Sequence, residues 1–339
     1  MVHCSPMRPR LLVSAGRELF GSFFSSPQEN QLDTLFEWER DGSRNVSAAF
    51  KRRLEHADAL VTTWDSPHFT EDLPRIAPKL RMIAHCGGEV KSRFAAELFD
   101  ALTITNAAEP MASATAELGA AFLLYCVRNV DRYREGIRKS NSIYSEVHAS
   151  GTEEFIVGRE VAMIGFGRVG RALVDLMRGF GLRWTVYDPF ASRTFTKDYP
   201  VVFSALKPLL QKAEVLILTA ALTDETRGML NVKALELLPD GAVIINIARG
   251  GLVDLKALTA EVRRKRLRCA LDVTDPAEPL PLKHPLRKMP RAVITPHIAG
   301  GGLHVRRQIA QTVIDDLENF FNGRTVQNRV KTEMLELMT

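Results

Sequence analysis

One stretch, from Val161 to Asp188, restricts the fold more than any other part of the chain. It opens Val-Ala-Met-Ile-Gly-Phe-Gly-Arg-Val-Gly, continues with helical spacing, and closes Arg183-Trp-Thr-Val-Tyr-Asp188. An apolar strand therefore ends in Gly165, Gly167 and Gly170, and a second strand ends in an acid. The first glycine of such a turn permits the tight bend. The second lets a pyrophosphate reach the backbone, and the third lets the helix pack on its strand. Free amides and the positive dipole end at the helix N-terminus then face the phosphates. Asp188 stands eighteen residues beyond Gly170, where an acid bonds ribose hydroxyls. Glycine turns also arise for steric reasons alone. The ordered series of strand, glycines, helix, strand and acid is what points to a dinucleotide.

The chain has 339 residues, which suggests about two domains of roughly 150 residues each. A hydrophobic fraction of 45% and a charged fraction of 25% suit a globular protein with an ordinary core. The net charge of +5 is small for this length and gives no reason to expect nucleic acid. Cys4, Cys86, Cys126 and Cys269 form no paired motif, so reduced thiols and no metal centre are expected. The N-terminus lacks a long apolar core with a small-residue cleavage site. The run Ala120–Val127 is too short to span a bilayer. A soluble, cytoplasmic protein without membrane contact is the expectation.

Strands alternate with helices along the chain, which predicts parallel sheets covered on both faces. In the first block, strands are expected at Arg10–Ser14, Ala59–Thr63, Leu80–Ala84 and Leu102–Asn106. One long helix is expected over Met111–Arg138, carrying the chain into a second block. Six strands are expected there: Glu160–Gly165, Arg183–Tyr187, Val215–Thr219, Ala242–Ile247, Arg268–Val273 and Ala292–Thr295. This is a doubly wound fold of the Rossmann type, whose ligand lies beyond the carboxyl ends of the strands. A last helix, Val305–Phe321, leads into a tail that returns to the first block. The expected domains are thus residues 1–125 with 305–339, and residues 126–304. The basic run Arg263-Arg-Lys-Arg266, with Arg268, reads as a solvated helix face.

Asp188, Thr219, Arg249, Asp272 and His297 all fall at or just beyond strand ends in the second block. Arg249 presents a planar fork suited to a carboxylate or an α-keto group. His297 is a proton donor or acceptor near neutral pH. Glu278, in the loop Asp275-Pro-Ala-Glu-Pro-Leu-Pro281, could orient a histidine and favour its protonated form. Taken singly, each has an ordinary reading as a surface cation, a loop histidine or a solvated charge. Their common placement around one crevice is what singles them out.

Several longer segments carry a family resemblance. They are Leu80-Arg-Met-Ile-Ala-His-Cys-Gly-Gly88, Leu222-Thr-Asp-Glu-Thr-Arg-Gly-Met-Leu-Asn231, Asn246-Ile-Ala-Arg-Gly-Gly-Leu-Val-Asp254, Ala270-Leu-Asp-Val273, Glu278-Pro-Leu-Pro281 and Thr295-Pro-His-Ile-Ala-Gly300. With them the chain resembles the D-isomer-specific 2-hydroxyacid dehydrogenases over nearly its whole length. That resemblance implies an NAD-binding Rossmann domain inserted in a flavodoxin-like substrate domain. It also implies a homodimer through the cofactor domain. Arg249 would hold the substrate, His297 would act as acid/base, and Glu278 would be its partner. The cofactor set would be Gly165, Gly167, Arg168, Val169, Gly170, Asp188, Ala220, Ile247, Ala248, Arg249, Asp272, His297 and Gly300. Within it, Arg168 and Val169 would cover the pyrophosphate, and Asp272 would bond the nicotinamide carboxamide. Gly87, Gly88 and Glu89 match the loop whose amides bind the substrate carboxylate.

Departures from the family pattern leave choices open. The Asp272–Glu278 spacing is one residue long, so Asp275 is the alternative partner for His297. Glu89 stands where glycine is common and would repel an anion unless it turned away. Trp64 either lines the substrate pocket, favouring an aromatic or apolar substituent, or is an ordinary core residue. Asp188 favours NAD over NADP, with Arg193 the nearest cation able to relax that preference. The expected reaction is reduction of a 2-keto acid with NADH. Alternatives are a non-catalytic NAD(H)-sensing protein on the same scaffold, or a relative acting on a one-carbon anion such as formate.

Overall fold

The computed structural model describes residues 8–150, 155–191 and 198–338. The chain divides into two compact units, one comprising residues up to Met111 together with those from Gly301, the other Ala112–Gly300. Both are α/β, and every strand pair in both sheets is parallel.

The first unit contains β1 (Arg10–Ser14), β2 (Glu37–Asp41), β3 (Ala59–Thr62), β4 (Met82–His85) and β5 (Thr103–Asn106), in the order β2-β1-β3-β4-β5. This is the flavodoxin-like order, with its topological switch between β1 and β3. Strands buried on both faces read as continuous apolar runs, as Ala59-Leu-Val-Thr62 and Met82-Ile-Ala-His85 do. β2 is an edge strand of sequence Glu-Trp-Glu-Arg-Asp, in which exposed Glu37 and Glu39 alternate with half-buried Trp38 and Arg40. Its charges hide it from a hydrophobicity reading while blunting an open sheet edge. The helix Leu303–Phe321 lays Ile309, Val313, Ile314 and Leu317 against a core that includes Leu11, Val61, Met82 and Phe23.

The second unit contains β6 (Glu160–Ile164), β7 (Arg183–Tyr187), β8 (Val201–Phe203), β9 (Val215–Leu218), β10 (Val243–Asn246), β11 (Arg268–Leu271) and β12 (Ala292–Ile294). Their order, β12-β11-β10-β9-β6-β7-β8, is the Rossmann order extended by one strand, and its switch lies between β6 and β9. The sheet has seven strands among the described residues rather than the expected six. The addition is the three-residue edge strand β8, too short to show a period. Val215-Leu-Ile-Leu218 and Val243-Ile-Ile are buried throughout.

The connecting helix differs from expectation. It is two helices, Ala108–Val127 and Val130–Lys139, broken at Asn129 with φ 49°. Asparagine is among the few residues that enter this left-handed region at modest cost. The unit boundary accordingly falls at Met111/Ala112 rather than near residue 125, because Ala116, Leu123 and Cys126 are buried in the second unit's core. By length and composition, Ala108–Val127 could cross a membrane, whereas the apolar run in sequence marks only Ala120–Val127. The basic run is not simply a solvated face either. Arg266 bonds the carbonyls of Leu235 and Leu238 and pairs with Glu261, and Arg268 pairs with the buried Asp131 at 2.8 Å. These arginines tie a helix, a loop and a strand together.

Candidate functional site

In the second unit the glycine turn is shaped by close approach. Gly165 has φ +92°, and a Cβ there would stand 2.4 Å from the Ala220 nitrogen. A Cβ at Gly170 would stand 2.9 Å from the Gly165 carbonyl oxygen and 2.9 Å from Met163 Sδ. Gly167, the residue preceding the helix Arg168–Leu176, has no neighbour within 4 Å of its Cβ position. The first and third glycines are thus required by packing, while the second leaves open space over a helix N-terminus whose first amides lack intrahelical acceptors. That is a cradle of the right kind for a pyrophosphate, and Arg168 and Val169 stand in the first turn above it. Thr219 Oγ1 donates to the Gly165 carbonyl at 2.6 Å and so links the two strands of the switch point.

Asp188 directly follows β7, with both carboxylate oxygens engaged. Oδ2 accepts from the Phe166 amide at 2.6 Å and Oδ1 from the Phe190 amide at 2.8 Å. The acid is therefore fixed to the glycine turn itself. Arg193 lies outside the described residues.

Beyond β10, the buried Asn246 builds the turn that carries Arg249. Its Nδ2 donates to the Arg249 carbonyl at 2.9 Å, and its Oδ1 accepts from the Ala248 amide at 3.1 Å. A buried amide side chain is costly unless bonded, and both ends of this one are. Arg249 Nη1 donates to the Ala248 carbonyl at 2.8 Å. Ile247 and Ala248 are buried beside it. Gly250 is needed because a Cβ there would meet the Thr274 carbonyl carbon at 2.3 Å.

Asp272 is the keystone of the next strand end. It is 1% exposed, and its Oδ1 accepts from Thr295 Oγ1 at 2.5 Å and from the Ile298 amide at 2.9 Å. Oδ2 accepts from the Ala299 amide at 2.9 Å, and the Asp272 carbonyl accepts from the His297 amide at 2.9 Å. Three donors on one carboxylate hold the turn in which His297 adopts φ 55°. His297 Nδ1 then lies 3.1 Å from Glu278 Oε1, with the two side chains 48% and 36% exposed. The longer spacing does not displace the pair: Glu278, not Asp275, meets His297. Thr274 Oγ1 braces the loop by donating to the Ala277 carbonyl at 2.7 Å. Gly300 is buried at the end of the same turn.

In the first unit, the loop after β4 brings together Trp64, Gly87, Gly88 and Glu89. Glu89 turns back into its own loop: Oε1 accepts from the Ser92 amide and Oε2 from Ser92 Oγ, each at 2.7 Å, with Arg93 at 3.9 Å. Its charge is thereby engaged by donors and a cation. Gly88 is held by its carbonyl, which accepts from Asn106 Nδ2 at 2.8 Å. Among the described residues, the amides of Gly88 and Glu89 donate to no protein group. His85, ahead of the loop, is wholly buried, with Nδ1 2.9 Å from Thr62 Oγ1. Burial, and secondarily the Arg93 charge, push its pKa down to about 3, so the ring is neutral.

The sequence reading overlooked Asn246, Thr295 and His85 as architects of these sites. A polar residue inside or beside an apolar strand was the available signal in each. Among the described residues, no group of three or more His, Cys, Asp or Glu is placed to hold a metal ion.

Known proteins bear on this arrangement. The profile of the D-isomer specific 2-hydroxyacid dehydrogenase family, NAD binding domain, matches residues 120–299. A glyoxylate reductase of Korarchaeum cryptofilum is 29% identical over 341 residues, covering 98% of each chain. A D-3-phosphoglycerate dehydrogenase of Methanocaldococcus jannaschii is 26% identical, covering 82% of this chain and 52% of its own. Among solved structures, a Thermus thermophilus protein superimposes with TM-score 0.73 at 29% identity, covering 95% of this chain and 99% of that one. A D-isomer specific 2-hydroxyacid dehydrogenase from Xanthobacter autotrophicus, solved with NADPH and MES, has the same fold, with TM-score 0.75 at 23% identity over 97% and 99% of the two chains.

Proposed function

The chain belongs to the D-isomer specific 2-hydroxyacid dehydrogenase family, and from that premise we propose that it reduces the carbonyl of a small 2-keto acid with NADH. The His297–Glu278 contact of 3.1 Å carries this reading, because a paired histidine at a strand end beyond the dinucleotide turn is the group a carbonyl reduction needs. The glycine cradle and Asp188 suit a nicotinamide dinucleotide, which when bound supplies the reducing equivalent. The charge of Asp188 opposes a 2'-phosphate and favours NADH over NADPH.

The chain's own residues would do the rest. Glu278 holds Nδ1 of His297, which fixes the ring and leaves Nε2 to deliver a proton to the substrate oxygen. Arg249 supplies a cation for the carboxylate and for the negative charge that gathers on the carbonyl oxygen. In the first unit, the free amides of Gly88 and Glu89 are donors suited to a carboxylate. Asp272 acts through the His297 turn. The relatives named glyoxylate reductase favour a short substrate. A homodimer in the cytoplasm completes the proposal, its mass being measurable by light scattering.

The test is a panel of 2-keto acids, beginning with glyoxylate, pyruvate and hydroxypyruvate, assayed with NADH and with NADPH. Turnover of at least one acid, faster with NADH, is expected. Tight NADH binding without turnover of any acid would refute the enzyme reading in favour of an NAD(H)-sensing protein.

A further inference from the structure

Trp64 follows β3 at its carboxyl end, and its indole is fixed on several sides. Its ring makes an edge contact with Phe23 at 5.0 Å between centroids. The Arg306 guanidinium lies 4.9 Å from the ring centroid, itself held by the Gly301 carbonyl and Ser22 Oγ. The far edge of the six-membered ring faces Gly301, 3.9 Å from that residue's Cβ position. What these contacts leave over is the N–H edge. It stands 2.8 Å from the Cβ position of Gly87, beside the loop with free amides.

Trp64 Nε1 has no hydrogen-bond partner among the described residues, yet it is not sealed inside the fold. A half-buried indole N–H usually finds an acceptor. The Gly87 amide cannot compete for one at this point, because it already donates to the His85 carbonyl at 2.9 Å. The backbone donors begin one residue later, at Gly88. A second nitrogen lies at the same place: His85 Nε2, fully buried and with no hydrogen-bond partner among the described residues, is 2.6 Å from that same Gly87 Cβ position. Two ring nitrogens thus meet beside the loop, and the one that is not fully buried is the indole N–H. A donor at this point offers more than the aromatic or apolar contact that a tryptophan suggests in sequence.

Resting on the reductase reading above, we propose that Trp64 is a specificity-determining donor whose indole N–H takes an oxygen on C3 of the substrate, so that a 3-hydroxy-2-keto acid is selected over one ending in methyl. The carboxylate takes the amides of Gly88 and Glu89, and the atom next to the keto carbon reaches the indole. A methyl group there would bury the N–H unpaired, and discrimination by a missing partner is stronger than discrimination by shape.

The experiment uses Trp64→Phe in the full-length protein, which removes the N–H and keeps a ring for Phe23 and Arg306. kcat/KM is measured with NADH for hydroxypyruvate, pyruvate and glyoxylate, together with the NADH dissociation constant. The wild type is expected to prefer hydroxypyruvate to pyruvate. The variant should lose about three- to tenfold on hydroxypyruvate alone. Glyoxylate turnover and NADH binding should stay within twofold, while pyruvate, which no longer buries an unpaired N–H, should hold or gain. A parallel loss on all three acids would place the indole on the carboxylate and overturn the C3 assignment, as would no loss on any. A wild type that binds NADH and reduces no 2-keto acid would instead overturn the reductase reading itself, and this assignment with it.

Discussion

Asp272→Asn is the most informative single substitution. The carboxylate receives Thr295 Oγ1 and the Ile298 amide on one oxygen and the Ala299 amide on the other, inside a site 1% exposed. An asparagine can place its oxygen on only one of these positions. With the oxygen at the Thr295/Ile298 position, its NH2 faces the Ala299 N–H, donor against donor. One hydrogen bond to a charged acceptor is lost, about 1.5–3 kcal/mol, and a buried N–H is left unpaired, about 1–3 kcal/mol more. Relaxation of the turn takes some of this back, so about 3 kcal/mol is expected. For a unit of this size that is a fall in Tm of roughly 6–12 °C. Because the His297 turn is released, kcat should fall by at least about tenfold, while NADH binding, set mainly by the glycine cradle, weakens less. Urea unfolding followed by tryptophan fluorescence, with kcat and the NADH dissociation constant, reads all three. A variant with wild-type urea midpoint and reduced NADH affinity would refute the keystone argument and make Asp272 a cofactor contact alone.

Three further outcomes follow from the same geometry. His85 is neutral in the fold down to about pH 3, whereas in the unfolded chain it takes a proton near 6.5. Its folded pKa is depressed, so stability falls as pH drops from 6.5 towards 3, by about 1.4 kcal/mol per unit. His85→Gln should flatten that slope by close to one proton in urea titrations at about pH 6.5 and 4.5; identical slopes would discard the assignment. Gly165→Ala places a Cβ 2.4 Å from the Ala220 nitrogen at φ +92° and should lower stability by at least about 2 kcal/mol and abolish NADH binding at micromolar protein, measured by nucleotide fluorescence. Glu278→Gln should leave Tm nearly unchanged, since both partners are partly exposed, yet lower kcat about a hundredfold; a drop of less than threefold would show that the pairing is dispensable.

Much of the fold was legible because its information is local. The runs Arg10–Ser14 and Arg183–Tyr187 are strands to the residue: the first is an apolar run buried after Arg10, and the second alternates buried Trp184 and Val186 with less buried neighbours, the period-2 mark of a strand. The two strands that escaped notice, Glu37–Asp41 and Val201–Phe203, are both sheet edges, where pairing on one side only lets charge or brevity stand in place of an apolar run. The break at Asn129 escaped for a different reason. Apolar spacing continues across it, and a single left-handed residue changes direction without changing composition.

The site divides along the same line. Glycines announce themselves because packing excludes every other residue at Gly165 and Gly170, and the acid at Asp188 follows at a set distance. Partnerships formed by tertiary contact have no such mark. In sequence Glu278 is the expected partner of His297 with Asp275 as the fallback, and only the folded loop chooses between them. Glu89 looks like an obstacle to an anion until its carboxylate is seen bonded to Ser92. Trp64 looks apolar until its ring faces are accounted for by Phe23, Arg306 and Gly301, which leaves the N–H edge as the part still open to a ligand. In each case the residue type says what chemistry is possible, and the neighbours decide which part of that chemistry is left over for a substrate. An unspent donor beside the Gly88 and Glu89 amides is therefore better evidence of specificity than the size or hydrophobicity of the side chain that carries it.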